Sequence, residues 1–506
     1  MRLTVRPEEV STSDPIVIMN SDDCLKLGVD VTDRVRITGR SAVVSSVMIS
    51  DQPALKGSLV MPPELMRRCG VLSGEEVDAV FCPLPESVRS IRKKIEGRKL
   101  NGEEIRSIIS DIEDGGLSDK EILAFVSSFN VNNADMSEVA ELTRAMAATG
   151  TEVDFGIREL YDFHSLGGIP GNKITPIVVS IVASEGLVIP KLSSRAISSA
   201  CGTSDFVDVF CDVEMDTESL KRAVAAAGGV FACGNEDYAP VGRRIINAER
   251  PMGIDPRPVM LASIMSKKVA LGTNRLLIDI PMGEGSKIPD MATAEGYARD
   301  ILSLGKELGM AVRCAVTRAD QPIGRTIGPV LEAKECIRTL EDGDPDGPVA
   351  DKACGMAGIL LEMAGRKDGE KLARSILESG RAYRKFLEIV KAQNGDPNIR
   401  SDDLVPGRFC KDVHAKRDGY IQYIDNQCMV AIAKGAGAPF DAGAGIELLH
   451  MKGDSVREGE PLFRIYAENQ AKLDRAVESA RSRRPMLVDP QPPGDSPEHI
   501  VIRTIG

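Results

Sequence analysis

The sequence has no tryptophan, only four histidines and no Cys-x-x-Cys pair. The histidines, at positions 164, 414, 450 and 499, are too few and too scattered for a metal cluster, so no metal is expected. There are eleven cysteines, an odd number, and the closest two are Cys201 and Cys211. That spacing argues against a disulfide framework or a zinc site and for reduced cytosolic thiols. No apolar run approaches the ~20 residues that span a bilayer. The opening MRLTVRPEEV lacks the apolar core of a signal peptide, so a cytoplasmic protein without a membrane partner is expected. Positive charge is also short, with 63 Lys and Arg against 75 Asp and Glu, a formal net charge of −12. Such a chain has no long-range field to attract nucleic acid. An anionic small substrate must be captured by local donors.

What is present is a globular composition, 42% hydrophobic and 27% charged, on 506 residues, too many for one ordinary core. The expected fold class is multidomain α/β, in four parts. Residues 1–84 read as a small β-rich domain, with RVRITGR and AVVSSVMIS as strands and PLPES at 83–87 as a linker. Residues 85–158 read as all-α: Asn101 starts a helix through Ile112, Ser118 starts a second, and a third runs from about Ser137 to Ala148. Residues 159–404 alternate helix and strand, which implies a mostly parallel sheet with sites at the carboxyl ends of its strands. Its helices include Lys173 to Ala183, apolar nearly all round, and its strands include Arg275 to Ile280. Residues 405–506 turn β-rich and read as an α+β C-terminal domain, with Lys452 to Leu462 a turn between two strands.

Two segments of the α/β part carry the chemistry. His164 to Lys173 reads HSLGGIPGNK, and Lys191 to Asp208 reads KLSSRAISSACGTSDFVD. Backbone N–H groups freed by glycine, hydroxyl donors and a cation are what a phosphate needs. The first loop is neither a Walker A motif nor GxGxxG. In the second, Ser193, Ser194, Ser198, Ser199 and Thr203 are hydroxyl donors and Arg195 is a bidentate cation. Helix capping accounts for one or two of those serines, not for the cluster. Asp255 precedes Pro256 as an ordinary helix start would, but its carboxyl is also a candidate proton donor. Ser263 and Lys267 are four apart on the helix that follows, hence on one face, and Lys287 lies in the loop after an apolar strand.

The run Ser193-Ser-Arg-Ala-Ile-Ser-Ser-Ala-Cys-Gly-Thr-Ser-Asp205 resembles the signature of the thymidine/pyrimidine-nucleoside phosphorylase family. His164-Ser165 with Gly167-Gly168 resembles that family's phosphate loop, and Ala262 to Lys268 its base-binding helix. Gly437 to Ile446, with the Gly453-Asp-Ser-Val456 hairpin after it, resembles its C-terminal domain. The added N-terminal part and the Pro-Gly-Asn-Lys and Ser-Arg-Ala-Ile sequences point to the branch acting on nucleoside 5′-monophosphates. The resemblance implies phosphorolysis of AMP, with CMP and UMP beside it, to free base and ribose 1,5-bisphosphate. It implies inorganic phosphate as co-substrate, no cofactor, and a homodimer or larger homo-oligomer. Carried over by motif position, Gly168, Ser194, Arg195, Ala196, Ile197, Ser198, Ser199, Thr203, Ser263 and Lys287 contact the nucleotide. His164, Ser165, Thr175 and Ser193 face phosphate, Lys267 lies on the base side, and Asp255 is the proton donor. One position departs from the pattern: the family has lysine before the loop histidine, and this chain has Phe163. Lys173, Lys191 and Arg195 are the candidates to supply the missing charge.

Three rivals stay open at this point. A nucleoside phosphorylase needs no 5′-phosphate pocket. An enzyme like anthranilate phosphoribosyltransferase uses pyrophosphate with magnesium. A non-enzymatic nucleotide-binding assembly protein binds AMP without turnover.

Overall fold

The computed structural model describes residues 1–8, 16–131, 134–196, 199–234, 237–494 and 499–506, with the backbone alone at 250. The chain forms two compact units, Met1–Glu152 with Glu236–Ala270, and Val153–Asn235 with Leu271–Gly506.

The first unit opens with a closed six-stranded barrel. Its strands are β1 (Arg2–Pro7), β2 (Ile16–Asn20), β3 (Arg34–Thr38), β4 (Ala42–Ser50), β5 (Ser58–Met61) and β6 (Glu76–Cys82). They lie in the order β1-β5-β2-β4-β3-β6, and β1 pairs with β6 to close the ring. Alternation places Val35 and Ile37 inside and Arg36 outside, as a half-buried strand requires. Two short helices cover it, α1 (Ser21–Leu27) and α2 (Pro63–Cys69), ending on Gly28 and Gly70 at φ 72° and 68°. The left-handed turn there is open to glycine at no steric cost.

Four helices follow: α3 (Ser87–Ile95), α4 (Gly102–Glu113), α5 (Asp119–Val131) and α6 (Met136–Ala148). Asn101 and Glu104 form a reciprocal capping box at the start of α4, and Ile105, Ile108, Ile109 and Ile112 line its buried face. A buried ion pair, Lys94 to Glu138 at 2.6 Å, ties α3 to α6.

In the second unit β7 (Tyr161–Ser165), α7 (Thr175–Ser184), β8 (Ile189–Ser193), α8 (Thr203–Val207), α9 (Thr217–Ala227) and β9 (Gly229–Cys233) come first. The chain then supplies α10 (Pro240–Glu249) and α11 (Arg257–Ala270) to the first unit, where α11 packs on α6 and α10 on α5. These two helices fall inside the 159–404 stretch read as one α/β domain, because their apolar faces are buried among helices.

The second unit resumes with β10 (Arg275–Met282), α12 (Met291–Glu307), β11 (Ala311–Arg318), β12 (Thr326–Ile327), α13 (Pro329–Asp342), α14 (Pro348–Met363), α15 (Gly369–Glu378) and α16 (Arg381–Ala392). Strands β7, β10 and β11 are parallel, as the alternation of elements implies, and β8 pairs in parallel with β9. Helix α7 is buried along its length in the core of this layer, but it begins at Thr175, not Lys173. Lys173 is still in the turn, its N–H bonded to the Gly171 carbonyl at 2.8 Å.

The remaining elements are β13 (Phe409–His414), β14 (Gly419–Ile424), α17 (Asn426–Ala436), β15 (Gly445–Leu448), β16 (Ser455–Val456), β17 (Pro461–Ala467), α18 (Gln470–Arg483), β18 (Met486–Asp489) and β19 (Val501–Ile505). They build two small sheets, β12-β15-β17-β13 and β16-β14-β18. The strands on either side of the Lys452–Leu462 segment, β15 and β17, pair antiparallel, as a turn between two strands requires, while β16 within the segment joins β14. One difference from the sequence reading appears. Strand β19 leaves the C-terminal sheets and lies antiparallel on β11, the edge of the α/β sheet. It is anchored at its start, where Asp351 accepts from the Ile500 N–H at 2.8 Å and meets His499 Nδ1 at 2.9 Å.

Candidate active site

The two donor loops both belong to the second unit and both leave the carboxyl ends of parallel strands. In the first, which leaves β7, Gly167, Gly168 and Gly171 have φ of 79°, 96° and 75°. Ser165 Oγ accepts the Gly167 N–H at 3.3 Å. Gly171 is required for space as well as φ, because a Cβ there would lie 2.7 Å from the Ile323 carbonyl oxygen. Lys287 is brought beside Gly168: its Cγ is 3.6 Å from the place a Cβ would take. Two residues singled out from distant parts of the sequence are therefore neighbours. Thr175 is buried at the first turn of α7, and His164 and Ser165 are half-buried.

In the second loop, after β8, the organising group is Asp205. Its Oδ2 accepts the N–H of both Ala196 and Gly202, each at 2.8 Å. Ser194 O accepts the Ser204 N–H at 3.3 Å, and a Cβ on Gly202 would come within 2.5 Å of the Ala196 nitrogen. Sequence reading took Asp205 as a motif letter only. The structure makes it the acceptor that folds the loop back on itself. Ser194 is exposed, Ser199 donates its hydroxyl to the Cys201 carbonyl at 3.1 Å, and Thr203 opens α8. Ile197 and Ser198 lie outside the described residues.

The cations named as replacements at Phe163 have different surroundings. Arg195 is bound by Asp208 at 2.9 Å and Glu214 at 3.1 Å, with Asp205 at 3.6 Å. Burial works against its charge, but those carboxylates outweigh it and push the guanidinium value up. Lys173 is fully buried, donating to the Ile323 carbonyl at 2.8 Å and pairing with Glu335 at 2.9 Å. Burial opposes the charge of Glu335, yet Lys173 and the Thr326 hydroxyl hold its carboxyl below the usual range. Neighbouring Glu332 behaves in the opposite way: burial pushes it up to about 7 although Lys173 pulls it down. Lys173 is thus the counter-charge of a buried carboxyl pair that braces the floor of the first loop. Lys191 lies against Phe163 itself.

The other candidates belong to the first unit. Asp255 is exposed just before α11, and Ser263 and Lys267 are half-buried on one face of that helix. Ser263 Oγ is 3.5 Å from where a Cβ on Gly242 of α10 would stand, so the two helices approach closely there. A further acid that sequence reading missed closes α10. Glu249 is 8% exposed, and burial first, then the charge of Asp255, push its carboxyl up to about 7. Its position in the INAE end of an amphipathic helix was the available signal.

A glycosyl transferase family model for a helical bundle domain matches residues 88–150, and one for the α/β domain matches 158–383. A model for the pyrimidine nucleoside phosphorylase C-terminal domain matches 420–486. Among solved structures, an anthranilate phosphoribosyltransferase from Thermus thermophilus superposes with TM-score 0.52 at 19% identity, over 60% of this chain and 99% of that one. That likeness concerns the fold alone. Fold and loops together define a glycosyl transferase of the pyrimidine nucleoside phosphorylase type. The chain is 44% identical to an AMP phosphorylase of Thermococcus kodakarensis and 43% to one of Pyrococcus furiosus, each over 97% of this chain and 98% of the relative. It is 40% identical to an AMP phosphorylase of Methanococcoides burtonii over 97% of each. The chain belongs to the AMP phosphorylase family.

Proposed function

We propose that this protein cleaves AMP with inorganic phosphate, releasing the free base and leaving ribose 1,5-bisphosphate, and that CMP and UMP are also substrates. The observation that carries this reading is the pair of donor loops at adjacent strand ends, one braced by Asp205 and the other joined by Lys287. Breaking an N-glycosidic bond builds positive charge on the ribose and negative charge on the departing base. Phosphate must be held beneath C1′ as nucleophile, which glycine N–H groups and the hydroxyls of Ser165, Thr175 and Ser193 are suited to do. Gly168, Lys287 and the 194–203 loop take the nucleotide, and Asp255 delivers a proton to the leaving base, with Ser263 and Lys267 on the base side. General-acid help of this kind contributes on the order of 10²–10⁴-fold. The reaction uses phosphate as co-substrate and no other cofactor, and the working form is a homodimer or larger.

The test is release of free base from AMP, CMP, UMP, thymidine and uridine, with and without phosphate. Phosphate-dependent release from the nucleotides, insensitive to EDTA, is expected. Equal rates on nucleosides would move the chain to the nucleoside enzymes. Activity lost to EDTA and restored by magnesium would move it to the transferases, and tight AMP binding without turnover to the binding proteins.

A further inference from the structure

Strand β10 ends at Met282, and an isolated bridge pairs Met282 with Ile288, closing the residues between them into a loop. That loop reads Gly283-Glu-Gly-Ser-Lys287, and two glycines in so short a stretch make it costly to order. A serine hydroxyl can close such a turn by bonding nearby backbone groups, and Ser286 does so here. Its Oγ lies 2.8 Å from both the Gly283 and the Ile288 carbonyl oxygens, sharing its proton between them, and it accepts the Ile288 N–H at 3.2 Å. The backbone adds the Ser286 N–H to the Gly283 carbonyl at 3.1 Å and the Gly283 N–H to the Ile288 carbonyl at 3.0 Å.

Lys287 stands between the two residues tied in this way. Ser286 is half-buried and Ile288 buried, while Lys287 is exposed. A Cβ on Gly168 would lie 3.7 Å from the Lys287 nitrogen as well as 3.6 Å from its Cγ, so the lysine backbone itself runs against the first donor loop. The other side is equally close. A Cβ on Gly283 would lie 2.7 Å from the Asp320 nitrogen, and one on Gly285 would lie 3.0 Å from the Tyr423 hydroxyl. The loop is thus fitted between neighbours, and the bonds of Ser286 fix the direction in which Lys287 leaves it. A cation on a loop attracts an anion only in proportion to the time the loop holds it in place.

We propose that Ser286 is the positioning residue for Lys287: by closing the 283–288 loop it holds the ammonium where the 5′-phosphate of the nucleotide docks. This rests on the reading of Lys287 as a nucleotide contact, and it names a residue outside the contacts carried over by motif. The Ser286 hydroxyl is engaged within the loop and acts on the nucleotide through Lys287 alone. Its loss therefore matters only while the lysine is present, and it leaves inorganic phosphate unaffected.

The experiment measures AMP binding to the full chain by calorimetry, beside the phosphate KM at saturating AMP, for Ser286→Ala, Lys287→Met and the double variant. Ser286→Ala should weaken AMP by roughly three- to tenfold, the worth of one ordinary hydrogen bond, and leave the phosphate KM within about twofold. In the Lys287→Met background the same substitution should change AMP binding by less than about twofold, because the group it positions is gone. A merely structural serine would weaken AMP by the same factor in both backgrounds. That result overturns the proposal, as does a Ser286→Ala chain that binds AMP like the parent or loses as much for phosphate as for AMP. If Ser286→Ala does not fold, Gly285→Ala, which displaces the loop from the Tyr423 side, is taken through the same cycle and decides by the same outcomes. A parent that binds AMP with this coupling yet cleaves none leaves the inference standing and removes the phosphorolysis reading. A chain that cleaves AMP with no such coupling keeps that reading and loses this inference.

Discussion

At the scale of single residues, two carboxyl groups separate chemistry from architecture. Asp255→Asn should lower kcat by about two to four orders of magnitude and leave AMP affinity within a few-fold. Asparagine caps helices about as well as aspartate, so a silent substitution with an unchanged melting curve would make Asp255 a helix cap and nothing more. Glu249 makes a prediction in pH. Its folded carboxyl, at about 7, lies above its ordinary value of 4.5 because of burial and the Asp255 charge. A raised carboxyl contributes stability that is complete below the unfolded value and is lost as pH rises through the folded one. Glu249→Gln should therefore melt higher than the parent at pH 8 and together with it at pH 4.5. Equal melting at both would mean the carboxylate is well solvated. In the core, Phe386 is buried among Phe210, Phe231 and Tyr383, with ring centres 5.3, 6.0 and 6.3 Å away. Phe386→Ala should cost about 3–5 kcal/mol by urea unfolding, and a loss below about 1 kcal/mol would contradict that packing.

At the scale of elements, the 194–205 loop depends on one acceptor. Asp205→Ala leaves the Ala196 and Gly202 N–H groups without their acceptor and should cost about 1–3 kcal/mol. It should also open the loop to limited proteolysis and raise the AMP KM. Unchanged protease resistance would show that the loop holds its shape by other means. Elements of this kind were legible to different degrees. The helix begun by Asn101 and the strand from Arg275 were clear, because capping residues and a continuous apolar run are local signals. The donor loops were legible as glycines and hydroxyls. What could not be read were the bonds that shape them, since the bond from Asp205 to Ala196 and the meeting of Lys287 with Gly168 depend on chain reversal. Of the candidate cations, sequence order could not separate Lys173, Lys191 and Arg195. Only their partners do: Glu335 for the first, Asp208 and Glu214 for the last, and Asp162 with the Leu192 carbonyl and the Phe163 ring for Lys191. The fate of β19 was hidden for a similar reason, because its partner β11 lies about 190 residues earlier and pairing at that range leaves no local mark.

At the scale of the molecule, both units are assembled from two separated stretches of chain. Residues 1–152 alone lack α10 and α11, and so leave uncovered the sides of α5 and α6 on which those helices pack. Such a fragment should aggregate or unfold at lower urea than a version joined through a short linker to 236–270. Cooperative unfolding of 1–152 at the same midpoint would show the two helices to be dispensable. The same interleaving has a consequence for biosynthesis. As the polypeptide emerges from the ribosome, the barrel and first four bundle helices are complete well before the helices that finish their unit. Between them comes a 153–235 stretch whose strand β7 is still waiting for β10. Neither body can close before the other has been partly translated, so a pause near residue 235 would leave two apolar faces open at once, where a chaperone that binds nascent chains would find its most favourable moment to act.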